Sequence, residues 1–156
     1  MRISKLKLLL LLAMSIFGLW SSSMVVIVYY ELKQALPICP SQTGPGIVLN
    51  CNAVLGSQYS QAFGIPLEFF AVAYFVINIV LVCPIAFGSD TMFRRSLKVL
   101  FGWRFLGLII VPYLVSIELF VIKAICVYCT FMHIAIVADF MIITYFLYYK
   151  RDSLLR

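Results

Sequence analysis

The sequence predicts an all-α membrane protein, a four-transmembrane-helix bundle with an extracytoplasmic cap of loop and short helix. Three observations predict it. Hydrophobic residues make up 64% of the 156 positions and charged residues 12%, with a mean hydropathy of +1.08. A soluble domain of this size cannot bury so much apolar surface. Four apolar runs are each long enough to cross a hydrocarbon core of roughly 30 Å at about 1.5 Å per residue. The basic residues gather at the ends of those runs rather than in a stripe interleaved with aromatics, so the net charge of +6 reflects membrane topology and not nucleic-acid binding.

The first run, 8–30, holds 23 uncharged residues after Arg2, Lys5 and Lys7. A basic start, a Leu-rich centre and Ser21-Ser22-Ser23 also fit a signal peptide. The apolar stretch continues through Met24 to Tyr30, so a retained first span is the expectation. The serines then allow close approach of other helices. The segment 31–64 is the one long polar stretch, made irregular in its first half by Pro37, Pro40, Gly44, Pro45 and Gly46. In its second half Val54, Leu55, Tyr59, Ala62 and Phe63 fall near a helical period, which predicts a short amphipathic helix on the membrane surface.

The second span is expected over about 65–87, with Glu68 near its start, Asn78 near its middle and Cys83 near its end as a buried, unpaired thiol. A loop over 88–98 carries Asp90, Arg94, Arg95 and Lys98. The third span covers 99–122 and includes Arg104 and Glu118, each able to reach an interface or to pack inside the bundle. After Lys123 the fourth span runs over 126–149, followed by Lys150, Arg151 and Arg156. The chain reads as a single integral membrane domain over 1–156, without an internal repeat.

Nine of the twelve basic residues lie at the N-terminus, in the 88–98 loop and at the C-terminus. The positive-inside rule therefore puts both termini in the cytoplasm of a multi-pass cell-membrane protein. Cys39, Cys51, Cys126 and Cys129 then share the outer face, where disulfides persist. Asp139 is the residue hardest to explain as packing. It lies about 20 Å down the fourth helix from Cys126, where a carboxylate is costly. Asn78 and Arg104 are at a similar depth. A proton relay and a helix-to-helix hydrogen bond are both readings of it, and the second is preferred.

The chemistry is placed in Cys126-Val127-Tyr128-Cys129 and the residues after it. At a helix start the two cysteines share one face, and the free amides there stabilise charge developing on sulfur. His133 lies one turn deeper on that face. A pair of buried apolar cysteines is the plainer reading. Cys39 and Cys51 can close a loop worth roughly 3 kcal/mol in the chain-entropy model. They form either a static disulfide or a pair that exchanges with the Cys-x-x-Cys. Zinc is disfavoured, because Cys39 and Cys51 lack short ligand spacing.

Two loop cysteines after a first span, then Cys51-Asn-Ala-Val-Leu-Gly-Ser57, Phe63-Gly64-Ile65-Pro66 and Cys126-Val-Tyr-Cys129 heading the last span, resemble the vitamin K epoxide reductase family, most of all its prokaryotic disulfide-forming members. The resemblance spans about residues 6–149. In the other quinone-linked disulfide-forming family, that of bacterial inner membranes, the Cys-x-x-Cys precedes the spaced pair. The resemblance implies a membrane thiol:quinone oxidoreductase. Cys39 would meet a thioredoxin-like partner, Cys51 would exchange with Cys126, and Cys129 would face a quinone of ubiquinone or menaquinone type. Ser57 matches a family position near the quinone. Leu67, with Glu68 beside it, falls where animal members have a quinone-bonding asparagine, and His133 falls where they have a tyrosine. With Phe70, these five form the expected quinone-binding set. A quinone carbonyl gaining electron density wants a hydrogen-bond donor, and His133 can be one. No metal is required, since two thiols carry the two electrons and two protons. The alternatives are a vitamin K epoxide or quinone reductase proper, and a non-enzymatic four-span scaffold with structural disulfides.

Overall fold

The structure, a computed structural model, describes residues 5–87 and 90–154. Arg2 and Arg156 of the orientation argument lie outside the described residues. Helix α1 (Lys5–Met24) continues as a π-helical turn over Val25–Glu31. A two-residue strand β1 (Val48–Leu49) and a short helix α2 (Cys51–Leu55) follow. A hairpin of β2 (Gln61–Ala62) and β3 (Ile65–Pro66) then leads into α3 (Leu67–Phe87). Helix α4 (Asp90–Ser116) ends in a second π-helical stretch, Ile117–Ile122. Strand β4 (Ala124–Ile125) then delivers the chain into α5 (Val127–Leu154).

Among the described residues four helices are long and apolar enough to cross a membrane. Helix α1 packs against α3 and α5, and α4 packs against the same two, so the bundle is a closed ring in which α1 and α4 are opposite corners. Leu9, Ile16, Val80, Ile109 and Met141 point outward, as lipid-facing side chains of such a ring must. Close helix approach is set by small residues. A Cβ at Gly18 on α1 would run into the Phe75 ring on α3. Ser21 and Ser22 are fully buried, and Ser21 Oγ donates to the Tyr128 carbonyl at 3.0 Å.

Each span contributes one polar residue to a fully buried cluster. Arg104 Nη2 lies 3.4 Å from Asp139 Oδ1, and its Nη1 donates to the Asp139 carbonyl at 3.1 Å. Arg104 Nε donates to Asn78 Oδ1 at 3.3 Å. Ser15 Oγ donates to Asp139 Oδ2 at 2.8 Å. Charges at this depth persist only when paired, and these pairings give Asp139 the helix-to-helix role. Ser15, the α1 member, carries no charge that would single it out in the sequence.

Several expectations are corrected. The loop expected over 88–98 is helical from Asp90 onward, residues 88 and 89 lying outside the described ones. The helix of the third span thus begins at Asp90, because charges end an apolar window without ending a helix. The fourth helix likewise runs past 149 to Leu154. The amphipathic cap helix stops at Leu55, capped by Gly56. Ser60 Oγ bonds the carbonyls of Leu55 and Ser57 at 2.7 and 2.8 Å, which folds the chain into a single 3-10 turn over Gln58–Ser60 in place of further α-helix. Phe63 is then fully exposed at the hairpin tip. Phe63 and Gly64 both have positive φ, as the central residues of a primed two-residue turn require. Cys83 is exposed rather than buried, on the outer surface of α3. Within the cap β1 pairs with β4 and β2 with β3.

Candidate functional site

The cap end of the bundle is where distant pieces of chain meet. Strand β1 runs parallel to β4, with Val48 opposite Ala124 and Leu49 opposite Ile125. The Val48 N–H donates to the Lys123 carbonyl and the Asn50 N–H to the Ile125 carbonyl, each at 3.1 Å. Lys123 makes this possible by ending the π-helical stretch in the left-handed region, φ 56°. Cys126 directly follows β4, and Cys51 follows β1 after Asn50. Asn50 caps α2 by accepting from the Ala53 N–H at 3.1 Å, which fixes Cys51 at the helix start.

Cys39 and Cys51 form a disulfide with a Cα–Cα distance of 6.0 Å, while Cys126 and Cys129 are free thiols. All four belong to one apolar cluster with Val54, Leu55, Tyr128 and Met132. Within it Cys51, Cys126 and Cys129 are buried and Cys39 is partly so. Cys126 immediately precedes α5, and its sulfur accepts a hydrogen bond from the Cys129 N–H at 3.4 Å, in the manner of a helix N-cap. Its carbonyl takes both the N–H and the hydroxyl of Thr130 at 2.9 Å. The Cys-x-x-Cys is thus held rigidly at a helix start whose amides face the first sulfur, a setting suited to thiol exchange.

Behind Cys129 lies a cavity of about 90 Å³. One water needs roughly 10–15 Å³, so the cavity has room for more than ordered water. Cys129, His133, Ser57, Glu68 and Glu118 bring its polar groups, and Leu67, Met132 and Ile136 are among its apolar walls. Glu68 and Glu118 are buried. Glu68 Oε2 accepts from the Tyr30 hydroxyl at 3.1 Å. The Glu118 carboxyl faces the Cys126 backbone N–H. Ser57 Oγ is turned to the Val54 carbonyl at 2.8 Å. Among the described residues no group of three or more His, Cys, Asp or Glu could hold a metal ion.

Of the five residues expected around a quinone, Ser57, Leu67, Glu68 and His133 line this cavity and Phe70 does not. Phe70 is exposed. It lies two residues past Glu68, so the helical twist turns it to the opposite side of α3. Glu118 and Tyr30 were not foreseen at the site. Both sit on π-helical turns, a conformation frequent at functional sites, whose altered register no apolar periodicity announces. An acid eight residues before Cys126 in an otherwise apolar run was the available signal for Glu118.

The family model described as Vitamin K epoxide reductase family matches residues 9–144 of the chain. Among the curated proteins none matches it.

Proposed function

The chain belongs to the vitamin K epoxide reductase family, a membrane oxidoreductase family acting on quinones, and from that premise we propose that it is a thiol:quinone oxidoreductase that drives disulfide formation in exported proteins. A reduced thioredoxin-like protein opens the Cys39–Cys51 disulfide by attack on Cys39. Cys51 then exchanges with the Cys126–Cys129 disulfide, and the reduced pair gives two electrons and two protons to a ubiquinone- or menaquinone-type acceptor beside Cys129. The bridge re-forms between Cys126 and Cys129. Both termini are cytoplasmic in this reading, and the cap is on the other side, where exported proteins need oxidation.

One observation carries the reading. Two cysteine pairs share a single buried cluster, and the inner member, Cys129, is on the wall of a cavity with His133, Ser57 and Glu68. A scaffold with inert bridges has no use for an unbridged Cys-x-x-Cys against a cavity. His133 is the hydrogen-bond donor for the quinone carbonyl, with Ser57 and Leu67 completing the contacts.

The test is quinone reduction by the purified protein in detergent, with a reduced thioredoxin-like protein as donor and a short-chain ubiquinone as acceptor. Quinol should appear in step with donor oxidation. No quinol above the protein-free rate, with either a ubiquinone or a menaquinone analogue, would refute the reading.

A further inference from the structure

A second cavity lies against the first. It is a groove of about 650 Å³ at the cap, lined by Lys33, Gln34, Asn52 and Gln61 among others, with Tyr29 and Tyr30 in its wall. It opens among exposed cap residues, Lys33, Gln34, Asn52 and Gln61, so water reaches it. Short helix α2 separates it from the cavity behind Cys129. Leu55, at the end of that helix, faces the groove, while Val54 faces the inner cavity.

One side-chain contact crosses this partition. Tyr30 lines the groove, and its hydroxyl donates to Glu68 Oε2 at 3.1 Å. Glu68 lines the inner cavity and is 4% exposed. The Tyr30 hydroxyl also lies 3.5 Å from the Leu55 carbonyl, which Ser60 Oγ bonds at 2.7 Å. We propose that Tyr30 and Glu68 form a proton relay from the water of the cap groove to the cavity beside Cys129.

The relay rests on the thiol:quinone reading, and the proton balance of that reaction calls for it. When Cys39 and Cys51 become a disulfide, their two thiol protons are released at the cap. When the Cys126–Cys129 bridge opens and its electrons pass on, two protons must arrive at the buried end, finally on the two quinone oxygens. Electrons travel by sulfur exchange, which carries no proton through α2. A carboxyl group on the cavity wall can deliver one proton at a time. A phenol hydroxyl bonded to it can hand on its own proton and take another from water on its far side. Glu68 is the donating group and Tyr30 a positioning residue acting through it. The titratable groups facing the cavity with Glu68 are Tyr59, Glu118, Cys129 and His133. Among them Glu68 is the one whose carboxylate accepts a hydrogen bond from a residue of the groove.

The experiment uses the full chain in detergent, dithiothreitol as donor and a short-chain ubiquinone as acceptor. Glu68→Gln and Tyr30→Phe should each lower kcat about tenfold or more, as loss of a proton-transfer group does. The double variant should fall no further than the worse single one, because both lie on one path. The KM for quinone should stay within about twofold. In a Cys129→Ser background both variants should still accumulate the Cys51–Cys126 bridge, since exchange does not use the relay. Wild-type kcat should fall at least about twofold in D2O, a readout independent of whether either variant folds. A kcat within about twofold of wild type in both variants overturns the relay, as does a loss confined to KM or a wild-type rate unchanged in D2O. Wild-type protein that reduces no quinone removes the oxidoreductase reading itself, and is told apart by that.

Discussion

The backbone N–H of Asn50 donates to the carbonyl of Ile125 at 3.1 Å, so the residues preceding Cys51 and Cys126 are joined although 75 positions separate them. A parallel pair of two residues each is enough, because α2 and α5 both start at this point and fix the direction of each cysteine. The pairing brings the loop disulfide to the head of the last span. The exchange proposed between the two cysteine pairs therefore takes place within one buried cluster.

That proximity is tested by trapping. Exchange passes through a mixed disulfide, which stands when its resolving thiol is lost. Cys129→Ser is expected to accumulate a Cys51–Cys126 bridge, read by mass mapping of disulfides. Cys51→Ala is expected to hold a covalent Cys39–partner adduct. Recovery of Cys39–Cys51 alone from Cys129→Ser under all redox conditions would show that the pairs do not communicate.

Turnover should depend on both inner cysteines. Cys126→Ala and Cys129→Ala are each expected to abolish quinone reduction with dithiothreitol as donor. Normal turnover by either would remove the mechanism.

The quinone contact should separate from thiol chemistry. His133→Leu is expected to raise the quinone KM roughly two- to tenfold, the equivalent of one net hydrogen bond. Bridge formation between Cys51 and Cys126 should be unaffected. An unchanged KM would take His133 off the quinone.

In the buried cluster, Asp139→Leu leaves Arg104 without its counter-charge and is expected to cost about 3–5 kcal/mol, seen as a lower unfolding temperature in detergent. Asp139→Asn retains an acceptor for Ser15 and Arg104 and should keep most stability and activity. Full stability with loss of turnover in Asp139→Asn would instead give Asp139 a part in proton movement.

Between α1 and α3, Gly18→Leu is expected to destabilise by about 1–3 kcal/mol through overpacking against Phe75. Phe75→Ala in the same chain should restore part of the loss. Equal stability of Gly18→Leu and wild type would mean that α1 and α3 can move apart at no cost.

The four spans were legible in the sequence because lipid imposes one requirement on every crossing, about 20 apolar residues with their backbone satisfied internally. The cysteines were legible because sulfur chemistry allows few residue types and the Cys-x-x-Cys fits one helical turn. The depth of Asn78, Arg104 and Asp139 followed from rise per residue alone. What faces what did not follow. Ser15 joins that cluster, Phe70 turns away from the cavity, and Tyr30 reaches Glu68 through the cap. Each depends on how one helix is rotated against another, and two π-helical turns shift that rotation. Where α2 ends was decided by Ser60 bonding back to Leu55, a contact that exists only once the chain has turned. Composition and spacing act along one chain, whereas a cavity wall is set by the packing of several.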